Sequence, residues 1–359
     1  MDEAQLVEAR KQLSQLADAL PAKGRVMVIP HDYPDPDALA SAAAMHLLLA
    51  NQFHLQSQIV FTGMVSRAEN KELLRHCRYK WHLLQDVRPP QHRVPAIFVD
   101  TAPWSGNVTV PSFAKPVAVL DHHPFTTRKK WGDIFADVRV GTGATASMMY
   151  EYLTAAQVPI PKWLASILSY AIASETLDLM RNCTALDLEA YSSLLARSNM
   201  TIIGRIRHAP LPRTYYTQLQ QGLRNAFVYG RVAWTHLDEV HQPEIVAEIA
   251  ELLCLMERVT WAFCTAYSGD NLLISVRSEQ KGARCGHLLK SVVRKSGSVG
   301  GHHLMAAGYV TMAGLTPEEK ERRREDLVKS LLSRIEHRPL QDELLALLAK
   351  PLLETPVQT

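Results

Sequence analysis

Three stretches of the sequence end in groups that bind hard cations. The apolar run RVMVIP leads into His31-Asp32-Tyr33-Pro34-Asp35-Pro36-Asp37, AIFVD ends in Asp100, and PVAVLD delivers Asp121-His122-His123. If these runs lie parallel in one sheet, their acidic and imidazole groups gather at its C-terminal edge, where open α/β sheets bind ligands. Carboxylates mixed with imidazoles suit Mn²⁺, Fe²⁺ or Zn²⁺, whereas Mg²⁺ and Ca²⁺ prefer oxygen alone; with no thiolate nearby, Mn²⁺ fits best. Asp35 and Asp37 lie two apart where a loop becomes a helix. Their side chains should diverge, which points to a pair of ions rather than one chelated cation. Two ions about 3.5 to 4 Å apart need a bridging carboxylate and activate a water for in-line attack on phosphorus. Asp100, on the central strand, is the candidate bridge.

The elements that must position these groups follow from the apolar pattern. Leu6, Leu13, Leu16 and Leu20 keep helical spacing, and Pro21 and Gly24 end that helix. Runs at 25–30, 57–63, 96–100 and 116–121 are short, apolar and β-rich, as in a parallel sheet of an α/β fold. PDALASAAAMHLLLANQ between the first two suits a helix packed closely on the sheet, with Asp35 as N-cap and Pro36 at its first position. Residues 143–157 and 162–180 read as helical, and 186–225 as a helical, polar connector interrupted by Pro210 and Pro212. Strand-like runs return from 226, with helices near 243–257 and 284–295, which describes a smaller mixed α/β domain. The charged, Leu-periodic sequence from Thr316 predicts one or two surface helices.

Composition narrows the partners. At 359 residues the chain exceeds the size of one core, so two domains are expected. Lys+Arg 39 against Asp+Glu 36 leaves a formal +3, too little for a surface that coats duplex DNA. Five widely spaced cysteines with no CxxC pair read as free thiols in a reducing compartment, here the cytoplasm. The N-terminus is charged and periodic, and no apolar stretch reaches about 18 residues, so neither export nor membrane spanning is expected.

The same residues, in this order, resemble the DHH phosphoesterase superfamily of RecJ-type exonucleases, family II pyrophosphatases, nanoRNases with pAp phosphatase activity and cyclic-dinucleotide phosphodiesterases. HxxPDxDA is His31 to Ala38, the strand-ending aspartate is Asp100, and the name-giving triplet is Asp121-His122-His123. The resemblance implies an N-terminal parallel-sheet DHH domain with helices on both faces (1–185), a connector (186–225), a DHHA1-like substrate-binding domain (226–340) and a helical tail (341–359). It implies that His31, Asp35 and Asp100 hold one metal and Asp37, Asp100 and His122 the other. Relatives complete the second site with an Asp in a segment reading SDT; here Ser174-Glu175-Thr176 places Glu175 there, with Asp178 as fallback. His123 would face substrate and steady the developing phosphoryl charge, while Asp121 orients its neighbours.

In the second domain the DHHA1 signature GGGHxxAAG reads Gly300-Gly301-His302-His303-Leu304-Met305-Ala306-Ala307-Gly308, with His302 in place of the third glycine. Ser275 and Arg277 of ISVRSEQ resemble the SxRS segment whose arginine meets a substrate phosphate. The cleft between the domains would then limit substrate size. In GMVSRAENKELL, Arg67 and Asn70 resemble substrate contacts, although a helix cap from Ser66 explains the segment equally well. Arg128-Lys129-Lys130 would attract a polyphosphate, but a solvated loop is the simpler account, and core packing accounts for Trp104, Trp131 and Trp234 better than base stacking.

The expected activity is therefore metal-dependent phosphodiester hydrolysis on short oligoribonucleotides or dinucleotides, releasing mononucleotides. A pAp phosphatase or pyrophosphatase is the second reading, and a weakly active nucleotide-binding relative, motivated by Glu175 and His302, the third. The partner expected is a short RNA or small nucleotide, with a homodimer left open, and with no membrane and no duplex DNA.

Overall fold

The computed structural model describes residues 3–124, 134–301, 303–337 and 350–353. The chain divides into two units, Met1–Pro210 and Leu211–Thr359.

In chain order the first unit contains α1 (Glu3–Ala19), β1 (Arg25–Ile29), α2 (Pro36–Gln52), β2 (Gln56–Phe61), α3 (Ala68–His76), β3 (Trp81–Leu83), β4 (Val94–Val99), β5 (Ala114–Asp121), β6 (Phe135–Val138), α4 (Thr145–Ala155), α5 (Lys162–Glu175), α6 (Ala185–Leu195) and α7 (Met200–Arg207). Its strands form a six-stranded sheet in the order β3-β2-β1-β4-β5-β6. Every neighbouring pair is parallel. The chain leaves β1 toward one edge and returns at β4 toward the other, so the switch point of the winding lies between β1 and β4. His31 and Asp100 follow those two strands.

Both faces of the sheet are dry, which is why its strands read as unbroken apolar runs. Val26 and Val28 of β1 pack beneath α2, α4 and α5, where Ala42, Ala43, Ala44 and Met45 allow α2 to lie close. Met27, Ile29, Ala96 and Phe98 face the other way, against Leu84, Val87, Trp104, Val108, Val110 and Phe113. Helices were expected on both faces; among the described residues the second face carries a single-turn 3-10 helix at Leu84–Asp86 together with irregular segments. The connection from β4 to β5 has no helical period and crosses that face as loop. Asp35 caps α2 through the Ala38 N–H, with Pro36 in the first turn, as the sequence indicated. The short edge strands β3 and β6 were not anticipated.

The second unit contains α8 (Arg213–Arg224), β7 (Phe227–Tyr229), β8 (Val232–Glu239), α9 (Glu244–Cys254), β9 (Trp261–Ser268), β10 (Asn271–Ser278), α10 (Cys285–Val293), β11 (Gly297–Gly301), β12 (Met305–Thr311), α11 (Pro317–Ile335) and β13 (Lys350–Pro351). Its sheet runs β11-β12-β10-β9-β8-β7-β13. Only β8 and β9 are parallel, so the sheet is mixed. The segment read as a connector is shared: α6 and α7 belong to the first unit and α8 to the second. Of the charged tail, α11 is a helix opened by a Thr316 capping box, and residues 338–349 and 354–359 lie outside the described residues. The five cysteines are free. No helix among the described residues is long and apolar enough to cross a membrane.

Candidate metal centre

The loop after β1 is pinned from both sides. Asp32 donates its N–H to the Asn107 carbonyl and Tyr33 donates its own to Thr62. The Asp32 carboxylate accepts from the Thr109 N–H at 2.9 Å and its hydroxyl at 2.7 Å. His31 donates from Nδ1 to the Asp32 carbonyl at 2.8 Å, which turns Nε2 inward. There Nε2 lies 3.7 Å from Asp35 Oδ1 and 3.6 Å from Asp100 Oδ2.

A second constellation faces the other oxygen of the same aspartate. His122 donates from Nδ1 to the Thr142 carbonyl at 3.0 Å. Its Nε2 lies 3.5 Å from Asp100 Oδ1 and 3.8 Å from Asp37 Oδ2. Asp100 thus stands between two His/Asp pairs and presents one oxygen to each, the arrangement of a bridging carboxylate. It is held there in the left-handed region, at φ 59°, with its N–H on Leu120.

These contacts are longer than ordinary hydrogen bonds, and with the imidazoles neutral they set acceptors against acceptors. With Nδ1 spent on a carbonyl, a neutral His122 offers only a lone pair at Nε2, and that atom is buried without a hydrogen-bond partner. Asp121 Oδ2 is likewise buried and unpartnered. Either protons or cations must neutralise such a cluster, and the donor set fits divalent cations. Without them, protons are retained. Burial disfavours the His31 cation, but Asp35 and Asp100 outweigh it and raise the imidazole to about 10. Burial, with Asp37 and Asp35 beside it, pushes Asp100 well above the carboxylate range, and burial raises Asp37 as well.

His123 borders the same aspartate: its Nδ1 lies 3.7 Å from Asp100 Oδ1, and with Asp100 and His122 it forms a group close enough to share an ion. Its Nδ1 lies 2.9 Å from Asp121 Oδ1, which also accepts its backbone N–H at 3.0 Å. Burial opposes its charge, yet the Asp121 hydrogen bond and charge raise it to about 9, leaving a half-exposed imidazolium. Glu175, at the end of α5, lies outside both close clusters. Arg181 lies 3.7 Å from it, and burial together with the charges of Asp35 and Asp37 pushes it to about 8. Asp178 is ion-paired to Arg207 and stands exposed, outside either cluster.

The reading of sequence missed the segment that supports the ligands. At the start of α4 the N–H groups of Thr145 and Ala146 each donate to Asp37 at 2.7 Å, placing that carboxylate on a helix N-terminus. The Thr145 hydroxyl donates to Asp100 at 2.8 Å. Asp187, from α6, accepts the Gly143 N–H at 2.8 Å and the Thr184 N–H at 2.8 Å, which ties the segment down. Gly143 is required sterically, since a Cβ there would meet Thr176 Cγ2 at 2.6 Å. A glycine followed by threonine in GTGAT and the Thr184-x-x-Asp187 spacing are the local signals of this segment.

In the second unit Ser275 and Gly300 pair with the same residue of β12, Ala307, so the segments that carry them adjoin. Arg277 donates to Ser275 Oγ at 2.8 Å and, through Nε and Nη2, to Glu251 Oε1. Gly301 takes φ 125°, and a Cβ there would meet Ala306 Cα at 2.4 Å, so only glycine fits. His303 is exposed and its carbonyl accepts from Cys285, while His302 lies outside the described residues. So do Arg128, Lys129, Lys130 and Trp131. Trp234 stacks on Phe227 and Phe263 in the core, and Trp104 packs under the first sheet. The N-cap of α3 is Arg67 rather than Ser66, and Asn70 is buried with its amide 3.5 Å from the Pro34 carbonyl.

A parallel sheet with a carboxylate and imidazole cluster at the switch point of its winding defines an α/β domain with a candidate metal site. Residues 25–172, within the first unit, match the family model of the DHH family, N-terminal domain. Over 311 residues the chain is 27% identical to the uncharacterized protein MJ1633 of Methanocaldococcus jannaschii, covering 86% of this chain and 62% of that protein's length. An exopolyphosphatase-related protein from Bacteroides fragilis superposes with a TM-score of 0.67 at 14% identity, covering 92% of this chain and 97% of that one. RecJ from Thermus thermophilus, solved in complex with Mn²⁺, superposes with a TM-score of 0.51 at 15% identity over 89% of this chain and 54% of RecJ. These likenesses establish a shared fold.

Proposed function

We propose that the chain is a two-metal phosphohydrolase that cleaves phosphodiesters in short oligoribonucleotides or dinucleotides, with Mn²⁺ as the working metal. The observation that carries this reading is Asp100, whose two oxygens face separate His/Asp pairs across gaps that no hydrogen bond fills. His31, Asp35 and Asp100 would hold one ion, and Asp37, Asp100 and His122 the other, each imidazole fixed in tautomer by its carbonyl partner. Bound there, the ions supply positive charge to the phosphoryl oxygens and lower the pKa of an attacking water. His123, kept cationic by Asp121, donates toward a non-bridging oxygen as negative charge grows in the transition state. In the second unit, read as DHHA1-like, Arg277 is preorganised by Glu251 and Ser275, and Gly300 and Gly301 bare backbone toward an anion.

Incubation with Mn²⁺ and 5′-labelled RNAs of graded length tests the proposal. Mononucleotide release strongest on the shortest oligomers is expected, with two Mn²⁺ per chain by elemental analysis and loss of both turnover and metal in Asp100→Asn. Turnover that persists in Asp100→Asn, or after chelation, sinks it. Phosphate release from pAp exceeding cleavage of pApA selects the phosphatase reading. The pairing of Glu175 with Arg181 favours weak occupancy of the second site, and one bound Mn²⁺ with nucleotide binding but no turnover identifies the weakly active reading.

A further inference from the structure

Beside the metal centre, the C-terminal ends of β2 and β3 border a cavity of about 640 Å³ whose walls include Tyr33, Phe61, Met64, Val65, Leu84 and Gln85. No charged side chain lines it among the described residues, so it offers nothing to a phosphate. Its volume lies within the range of small-molecule sites. Tyr33 stands two residues from both His31 and Asp35, so the cavity adjoins the first ion's ligands.

Tyr33 is held in an unusual way. Its backbone sits at φ 54°, a left-handed conformation that costs free energy for a bulky residue. The loop maintains it through the Tyr33 N–H on Thr62. Gly63 makes room for the ring: a Cβ at that position would lie 2.8 Å from Tyr33 Cγ and Cδ1. One side of the ring is therefore backed by bare backbone, yet the residue remains 64% exposed and Met64 beside it 57% exposed. An aromatic ring strained into place, supported behind and open in front, at the mouth of an uncharged cavity, is a stacking surface.

Resting on the phosphodiesterase reading above, we propose that Tyr33, backed by Gly63, stacks a nucleobase of the substrate over this cavity. Met64 and Leu84 would complete the apolar slot, while the adjacent phosphate reaches the metal ligands. The enzyme would then discriminate between phosphodiesters with and without a base at that position, and tolerate different bases, because every base has a π-face.

Tyr33→Asn removes the ring while placing a residue that adopts left-handed backbone more readily, so the loop keeps its path. Tyr33→Phe and Tyr33→Trp keep a stacking face. On the full chain with Mn²⁺, kcat/KM is measured for pApA and for its analogue lacking one base. The wild-type preference for pApA is expected to fall about 10-fold or more in Tyr33→Asn, chiefly through KM, and to survive in Phe and Trp. Saturation-transfer NMR with AMP against ribose 5-phosphate, in the same variants, reads the slot without turnover; adenine signals should weaken in Tyr33→Asn alone. Equal discrimination and equal adenine signals in Tyr33→Asn and wild type overturn the inference while leaving the phosphodiesterase standing. Should no phosphodiester be cleaved, that activity fails and the AMP experiment still decides the slot. A change of mass in solution in Tyr33→Asn, with nucleotide signals intact, assigns the surface to a second copy and also overturns it.

Discussion

Thr145→Val changes one atom group at the heart of the metal centre and keeps the β-branched shape. Thr145 is fully buried, and its hydroxyl is 2.8 Å from Asp100 Oδ1, while its backbone N–H on Asp37 is independent of the side chain. The loss should differ between metal-free and metal-bound protein. Without ions, burial and the neighbouring carboxylates push Asp100 well above its usual range, so less negative charge meets the hydroxyl and the hydrogen bond is worth less. Metal-free stability should then fall by only about 1 kcal/mol, the net worth of a neutral hydrogen bond. With ions bound, Asp100 must be ionised, and a hydrogen bond to a charged group is worth about 1.5 to 3 kcal/mol. The difference, about 0.5 to 2 kcal/mol, lowers Mn²⁺ affinity by roughly 2- to 30-fold, somewhat under the range typical of groups that orient metal ligands. Calorimetric Mn²⁺ titration and melting with and without Mn²⁺ measure both quantities, and Thr145→Ser should restore them. A variant that melts earlier without metal yet binds Mn²⁺ like wild type refutes the reasoning, because Thr145 would then be packing alone.

Three further outcomes follow from the same geometry. Asp187→Asn should cost about 2 kcal/mol, as an amide cannot accept every donor that Asp187 Oδ2 now serves, and should weaken Mn²⁺ binding by slackening the segment that carries Thr142 and Thr145; melting combined with Mn²⁺ titration checks this, and normal affinity contradicts it. Mn²⁺ uptake should release protons, because His31 near 10 and Glu175 near 8 are protonated in the metal-free centre at neutral pH. Raising the pH makes those protons easier to displace, so apparent affinity should climb from about pH 6 to 8, and heats of binding that do not vary between buffers of different ionisation enthalpy would rule this out. Away from the centre, Arg139→Met strips the partner from Asp137 and Glu151, which are both buried, and should destabilise by about 3 kcal/mol. Glu151, which burial already raises, then rises further above its unfolded value, so the deficit should shrink as pH falls, and a loss independent of pH, by urea unfolding, counts against it.

The candidate ligands were legible because they stand at or just after the points where apolar runs stop. In a buried parallel sheet both faces exclude polar groups, so His31, Asp100 and Asp121-His122-His123 can fall only at strand ends, and parallel order brings those ends to one edge. The Asp35 cap and the opening of α2 were legible for a related reason, a short-range pattern of carboxylate and proline. What escaped was set by backbone that residue type does not announce. After Glu175 the chain runs through Leu177, Asp178 and Leu179, all with positive φ, so the helical period expected to continue to 180 breaks with no glycine or proline to mark it. That turn directs Asp178 to Arg207 and leaves Glu175 beside Arg181. The support of Asp37 is hidden in the same sense, since the groups that hold it are the N–H donors of Thr145 and Ala146, which any residue pair there would supply. Side-chain chemistry at the centre was therefore written locally, whereas its geometry is imposed by main chain from distant sequence. Substitutions in residues 142–146 and at Asp187 should for that reason disturb the metals more than their unremarkable sequence suggests.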